Sequence, residues 1–446
     1  MEEMLHYVWE HKIFPLRELL TTDGQVVEVI NPGLHNTDSG PDFLNARITI
    51  AGISWVGNVE IHVKASDWHL HHHDSNPAYD NVILHVVASD DCAISSPDGT
   101  PIPQLLLPIP DFVRHNYDSL LASQASPRCK DVIRGIPPFF IHNWLSALQV
   151  ERLEYRARQI DERLARCGND WEHALFVTIA RNFGFGINGD AFEAWAYSIP
   201  MTAIYKHRDN LFQIEAIFFG QAGLLDDRMI PEVYHPSIPT DTYLQQLRKE
   251  YQYLSHKFGL TPMNPVLWKF LRLRPQNFPH IRIAQLAMMW VEQTCSFSRL
   301  INASDISQLR ESLQAHVSPY WKRHYTFAST ESAETDKHLT DSSKDLVIIN
   351  TVSPFLFAYG KYRNQENLCE RAISLLETIR PEDNRYVREW QSAGVDCRNA
   401  ADSQAIIHLA QHYCTPHDCL RCRFGYEFIR HTPDFLRENT PQLSHN

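Results

Sequence analysis

Asp42, Glu60 and His62 are the residues of this sequence whose types and spacing best suit bond-breaking chemistry. Two carboxylates and an imidazole that converge make a first shell for a divalent cation. Mg²⁺ takes carboxylates and water, while a histidine shifts the preference toward Mn²⁺ or Zn²⁺. A cation so held activates water for hydrolysis. Lys64 follows on the same segment, a further charged group beside the three. The surroundings are rich in histidine, with His62, His69, His71, His72, His73 and His85 falling within 26 residues. His73, Asp74 and His85 are further candidate metal ligands. Asn36, Asn58, Asp67, Trp68, His71 and Tyr79 are candidate substrate contacts. Consecutive His71, His72 and His73 cannot all face one site, so at least one is expected to face solvent.

Strands must position these groups. Residues 43–50 and 54–63 alternate apolar and polar side chains around the turn signal Ala51-Gly52, which predicts a hairpin. On a strand, Glu60 and His62 share one face and Ile61 and Val63 take the other. Pairing through a tight turn brings the start of the first strand to the end of the second, so Asp42 is expected beside Glu60 and His62. Residues 3–13 read as a helix and 25–30 as a strand that ends at Asn31-Pro32-Gly33. The polar stretch 64–81 has one helical turn after Asn76-Pro77. Residues 82–87 form a β-branched run that reads as a buried strand, and 92–104 read as a further hairpin about Pro97-Asp98-Gly99.

Pro41-Asp42, Glu60-x-His62 and this order of elements resemble the PD-(D/E)xK nuclease superfamily. The resemblance implies that the two acids hold metal and that the third position orients the attacking water. This chain departs from the pattern in having His62 where lysine is expected, with Lys64 two residues on, and in the shortness of its intervening helix. A neutral histidine serves there as base or ligand. A wider resemblance runs through Leu34-His35-Asn36, Gly40-Pro41-Asp42-Phe43, Gly57–His62, Ser66-Asp67-Trp68 and Ala78–Val87. It continues through Phe218–Gly223 to Asp402-Ser403-Gln404 and the C-terminal cysteines. In these the chain is similar to a bacterial family of unknown function.

The remaining sequence frames this site. At 446 residues the chain exceeds one core. The expected organisation is α+β: a mixed α/β domain at 1–125, a helical domain at 126–326, a polar mobile loop at 327–345, and a helical segment at 346–446. No apolar run is long enough to span a membrane, and the acidic N-terminus does not read as a signal peptide, so a soluble cytoplasmic protein is expected. Net charge is −12, and residues 1–129 alone account for −11. Such a segment repels nucleic acid unless metal or a basic neighbour offsets it. Cys414-x4-Cys419-x2-Cys422, with Cys397 upstream, has spacing suited to Zn²⁺ or an iron–sulfur cluster. Some nucleases of the superfamily above carry such a cluster on one distant and three close cysteines. Cys129 has no local partner that marks it as a nucleophile. Gly184-Phe-Gly186-Ile-Asn-Gly189 follows a helix rather than a strand, so these glycines are expected to end helices, not to bind a dinucleotide. Two functions fit: a metal-dependent, nuclease-like hydrolase with nucleic acid as partner, or a non-catalytic binding or scaffold protein with a structural metal at the cysteines. The sequence does not fix the oligomeric state.

Overall fold

A computed structural model describes residues 1–14, 18–96 and 99–430. The chain is α+β, with a sheet near the N-terminus followed by helices. Its contacts divide it into two compact units. One comprises Met1–Trp144, Asp383–Asp396 and Ile406–Asn446; the other comprises Leu145–Glu382 and Cys397–Ala405. The stretch expected as a separate C-terminal segment is thus shared between them. Its placement depends on packing between residues far apart in sequence, which periodicity does not report.

The first unit opens with helix α1 (Glu2–Glu10), whose Leu5, Val8 and Trp9 are fully buried. Seven strands follow: β1 (Leu19–Leu20), β2 (Val26–Asn31), β3 (Leu34–His35), β4 (Phe43–Ile50), β5 (Ile53–Lys64), β6 (Val82–Ser89) and β7 (Gln104–Leu106). Their order is β1-β2-β4-β5-β6-β7, with β3 pairing β4 separately. The β4–β5 hairpin turns at Ala51 and Gly52, both at positive φ. β6 runs parallel to β5, and β7 parallel to β6. A strand flanked by parallel neighbours is covered on both faces, which is why β6 reads as an unbroken apolar run interrupted only by His85. A bridge from Thr21 to Leu105 joins the two edges of the sheet. The hairpin expected at 92–104 is reduced to one bridge, Ser95 to Pro101. Pro101 and Pro103 lack the N–H groups a ladder needs, and the chain instead enters β7. Pro97 and Asp98 of that turn lie outside the described residues, as does the tail beyond 430.

Between β5 and β6 lies a short helix, α2 (Asp67–Leu70), then two single turns, His73–Ser75 and Pro77–Tyr79. Helices α3 (Asp111–Ala122) and α4 (Lys130–Ile133) follow the sheet and pack against the helix Arg423–Arg430.

The second unit is helical. Its principal elements are α5 (Pro138–Arg166, beginning in the first unit), α6 (Trp171–Phe183), α7 (Gly189–Tyr197), α8 (Met201–His207), α9 (Leu211–Gln221), α10 (Thr242–Phe258) and α11 (Pro279–Val291). α9 is buried from Ile214 to Gln221 with no polar face, as a central helix must be. The glycine triplet lies between the end of α6 and the start of α7, as its position after a helix predicts. Residues 327–345 are irregular for most of their length, but they are anchored rather than loose. The buried Lys337 ammonium donates to the Trp321 carbonyl and, at 2.7 Å, to the His324 carbonyl, and Leu339 is buried. No helix among the described residues is long and apolar enough to cross a membrane.

One acid sits in the helical core. Glu215 accepts hydrogen bonds from the Tyr243 hydroxyl at 2.5 Å and the Ser318 hydroxyl at 2.9 Å. Burial outweighs both bonds and pushes its carboxyl up to about 7. The folded chain therefore holds this proton more tightly than the unfolded chain. Stability contributed here is present below the ordinary value of 4.5 and is lost as pH rises toward 7. The loss is roughly 3 kcal/mol at ~1.4 kcal/mol per unit. Glu215→Gln keeps the shape and both hydroxyl partners without a charge. Its thermal denaturation is expected to match wild type near pH 5 and to exceed it at pH 8. Parallel stability profiles for the two proteins would exclude this account.

Candidate functional site

The β4–β5 hairpin brings Asp42 and Glu60 together through the backbone. The Asp42 amide donates to Glu60 Oε2 at 3.1 Å, and the Ile61 amide donates to Asp42 Oδ2 at 2.9 Å. Parallel pairing with β6 places His85 opposite Glu60. Glu60, His62 and His85 therefore line one buried surface; their rings and carboxylate are almost wholly out of solvent.

The segment after β5 folds back over them. Ser66 is held by Asp91 through its amide (2.8 Å) and hydroxyl (2.7 Å), and α2 then carries the chain to His71. His72 takes a left-handed conformation, φ 59°, and is exposed. That reversal turns His71 and His73 toward the same point, while His72 is the solvent-facing member of the triplet. The Asn76 side chain caps the next turn by accepting the Ala78 amide at 3.1 Å, and Tyr79 stacks on His73 at 3.8 Å between centroids. Trp68 meets His73 and His85 edge-on.

Three histidines converge here, with Glu60 beside two of them. His62 Nε2 lies 3.1 Å from His71 Nδ1 and 3.5 Å from Glu60 Oε1, and His73 Nε2 lies 3.2 Å from the same Glu60 oxygen. Among the described residues, His62, His71 and His73 form the group whose ligand atoms all lie within 4.8 Å of one another. Neither nitrogen of the buried His73 ring makes a hydrogen bond of normal geometry. Such an unsatisfied pair is costly unless another group engages it. His62 Nδ1 lies 2.8 Å from His85 Nε2. With its proton on Nδ1, His62 donates to His85 and leaves the Nε2 lone pair facing Glu60 and His71. This is the arrangement by which an outer partner orients a metal-ligating imidazole.

The electrostatics oppose charge in the cluster. Burial, reinforced by the neighbouring Asp42, pushes the Glu60 carboxyl up to about 9. Burial and the nearby His73 and His71 rings push His62 down to about 4, and burial with His62 and His73 pushes His85 down to about 3. Burial and His71 lower His73 as well. Without a cation Glu60 is a protonated acid beside the neutral imidazoles of His62, His73 and His85. Neutral imidazoles are the form that binds metal. Asp42 behaves oppositely. Burial raises it, but the bond and charge of His6, the Ile61 amide and His62 outweigh that and hold it below the usual carboxylate range. His6 Nε2 lies 3.3 Å from Asp42 Oδ2, and burial opposes but does not cancel the upward shift that Asp42 gives it.

The other candidates separate by location. Asp67 begins α2 and accepts the Lys64 amide at 3.0 Å; the Lys64 side chain is at the exposed end of β5. Trp68 has no exposed surface, so it supports the histidines from behind and cannot face a substrate. Tyr79 is nearly as buried and serves as a floor for His73. Asn36 is used by its own loop, donating to the Pro41 carbonyl at 3.0 Å and accepting the Asp38 amide at 3.0 Å. Asn58 accepts the Asn45 amide and lines a cleft, with Trp55, Val56 and Ile83, that contains none of the four donors. Asp74 is exposed, 3.5 Å from His69. Cys397 belongs to the second unit, while Cys414, Cys419 and Cys422 belong to the first. Sequence reasoning missed Glu2 and His6 of α1, whose charges reach Asp42. The only signal was their place on the polar edge of a helix expected near the sheet. His71 stands among the metal-type donors rather than apart from them as a substrate contact.

The family model described as protein of unknown function DUF2851 matches residues 2–385. No curated protein and no solved structure matches the chain.

Proposed function

The chain belongs to that family of unknown function, and from its geometry we propose that the first unit houses a metal-dependent hydrolase centre of the nuclease-like, phosphodiester-cleaving kind. The observation that carries this reading is the gathering of His62, His71 and His73, whose ligand atoms lie within 4.8 Å of one another, with Glu60 Oε1 beside His62 and His73 and with Asp42 alongside. Three imidazoles and a carboxylate suit Zn²⁺ or Mn²⁺ better than Mg²⁺, which favours oxygen donors. The unsatisfied His73 nitrogens supply the fit. A divalent cation bound there supplies Lewis acidity and an acidic water.

The protein's own groups have separable tasks. His62, His71 and His73 offer lone pairs. His85 fixes the tautomer of His62. Glu60 gives a carboxylate oxygen to the cluster while its other oxygen, through the Asp42 amide, keeps the two strands in register. Asp42 and His6 lie at the more open edge, with about a quarter and a seventh of their side chains exposed (23% and 15%). From there the pair can accept a proton from water or return one to a leaving oxygen. A phosphodiester is favoured by the order of elements, α1, β2, β4, β5, α2, β6, with the acids on β4 and β5 as in PD-(D/E)xK nucleases. The joined sheet edges and the extra histidines depart from that pattern. The acidic first 129 residues make cation binding a condition for an anionic substrate to approach.

The test is cleavage of single- and double-stranded DNA and RNA by metal-free protein resupplied with Mn²⁺, Zn²⁺ or Mg²⁺. Activity with Mn²⁺ or Zn²⁺ that His71→Ala removes supports the reading. Absence of cleavage in every combination, with metal bound, leaves a non-catalytic metal protein and overturns the hydrolase. His85→Phe keeps a flat aromatic ring, somewhat larger than imidazole, and removes the acceptor for His62. It is expected to weaken Zn²⁺ or Mn²⁺ affinity about 10–100-fold, as losing an outer partner does; competitive chelator titration reads this directly.

A further inference from the structure

A cleft of about 430 Å³ opens in the second unit, and Arg156, Arg181, Phe185, Gly186, Gly189 and Asn350 are among the residues that line it. Arg156 stands on α5 and Arg181 near the end of α6, while Gly186 and Gly189 belong to the segment that leads from α6 into α7. Asn350 lies in Ile348–Val352, a π-helix, and such wide turns recur at functional positions. Its carbonyl accepts from Arg156 Nη2 at 2.9 Å and from Asn182 Nδ2 at 3.0 Å, which ties the turn to α5 and α6.

The charges at this cleft do not balance. Arg163 Nε lies 2.7 Å from Glu193 Oε1. Arg181 Nη1 is paired with the other oxygen of Glu193 and, at 2.7 Å, with Asp190 Oδ1. Arg152 donates to Gln404 Oε1 at 3.0 Å and feels the charge of Glu382. Arg156 differs from these three. Its hydrogen bonds go to neutral acceptors, the Asn350 carbonyl and, at 3.2 Å, the Gln159 side-chain oxygen. No carboxylate among the described residues pairs with it, although it is mostly buried. Burial, reinforced by Arg152, Arg163 and Arg181, pushes its guanidinium down to about 10. A buried charge with no counter-ion is destabilising. The two bonds also leave most of its five N–H groups free for another acceptor.

The glycine segment supplies further donors. Gly186 adopts φ 85°, and no atom lies within 4 Å of where its Cβ would stand, so the cleft is open beside it. Asn188 precedes α7, yet its side chain is held by the Lys269 backbone, donating to the carbonyl at 2.9 Å and accepting the amide at 2.8 Å, and it caps no amide of α7. Gly189 and Asp190, which begin α7, therefore bring the positive end of the helix to the cleft without a side-chain cap.

We propose that this cleft binds a phosphate group, free or as the monoester of a small molecule, between the guanidiniums of Arg156 and Arg181 and the first amides of α7. Two guanidinium forks and the helix amides offer more N–H groups than the two oxygens of a carboxylate accept, and they suit the oxygens and double charge of a phosphate. Phe185 gives an organic substituent an aromatic wall. The volume is that of a small-molecule site. The cleft shares no residue with the histidine cluster and does not rest on the hydrolase reading.

Calorimetric titration of the full chain with inorganic phosphate, phenyl phosphate and benzoate tests this. The phosphates are expected to bind at one site, and His71→Ala to bind them as wild type does. Tighter binding of phenyl phosphate than of inorganic phosphate assigns an ester; the reverse assigns the free ion. Arg156→Met is expected to weaken binding about 10–100-fold, as loss of charge-assisted bonds does. It should melt no lower than wild type, because an uncompensated charge is removed and Asn182 still serves the Asn350 carbonyl. Asp190→Asn changes a side chain that is 93% exposed and keeps the fold. It releases Arg181 from a competing carboxylate, so binding should tighten about three-fold; this arm decides should Arg156→Met not fold. No binding of either phosphate, benzoate bound as tightly as phenyl phosphate, loss of binding in His71→Ala, or unchanged binding with a lower melting point in Arg156→Met would each overturn the assignment.

Discussion

Glu60→Ala is expected to lower metal-dependent hydrolysis by about 10³-fold, and Glu60→Gln by nearly as much. In the proposed centre the carboxylate would contribute a negative charge, and its Oε1 lies within 3.5 Å of two imidazoles. Charge stabilisation at a catalytic metal amounts to several kcal/mol, and each ~1.4 kcal/mol changes the rate tenfold. The two variants divide structure from charge. Glutamine keeps an oxygen for the Asp42 amide, so the β4–β5 register and the thermal stability should survive. Alanine removes that acceptor and leaves the Asp42 amide short of a partner, so it should also lower stability by ~1–3 kcal/mol. Rates and melting curves for both, at saturating Mn²⁺, check this. Glutamine at wild-type rates would remove Glu60 from the centre.

Gly220→Ala is expected to destabilise the second unit by roughly 2 kcal/mol or more, although helix propensity alone predicts a gain of ~1 kcal/mol for alanine. The two effects oppose each other, and geometry decides. A Cβ at Gly220 would stand 2.1 Å from Cδ2 of Tyr251, far inside van der Waals contact. The ring cannot swing clear cheaply, because its hydroxyl is bonded to Gln221 Oε1 at 2.7 Å. α9 and α10 must therefore separate, and the fully buried face of α9 with Phe218 and Phe219 moves with them. Thermal denaturation reads the loss. Gly220→Ala combined with Tyr251→Ala should recover much of it, because both substitutions act on one contact. A melting point unchanged or raised by Gly220→Ala alone would refute the argument.

Local patterns were legible where one face of an element settled its burial. The strands at 43–50 and 54–63 follow from alternation, and the Asp42–Glu60 proximity follows from hairpin geometry. His85 was legible only as an interruption in an apolar strand; its role came from parallel register with β5, which pattern does not fix. His71 and His73 share a site because His72 adopts φ 59°, a choice no spacing rule predicts. Lys337 anchors a stretch that composition marks as mobile, using carbonyls 13 and 16 residues away. Except at His72, where a local backbone conformation decides, the missing information was a long-range contact.

Anomalous diffraction from crystals grown with Mn²⁺, recorded on both sides of the manganese edge, tests the central claim most directly. The account predicts one strong site ~2.0–2.3 Å from ring nitrogens of His62, His71 and His73 and a carboxylate oxygen of Glu60. His85 should lie outside that shell, bonded to His62. No peak at this cluster, or manganese held instead by Asp67 and Asp74 at the surface, would contradict it.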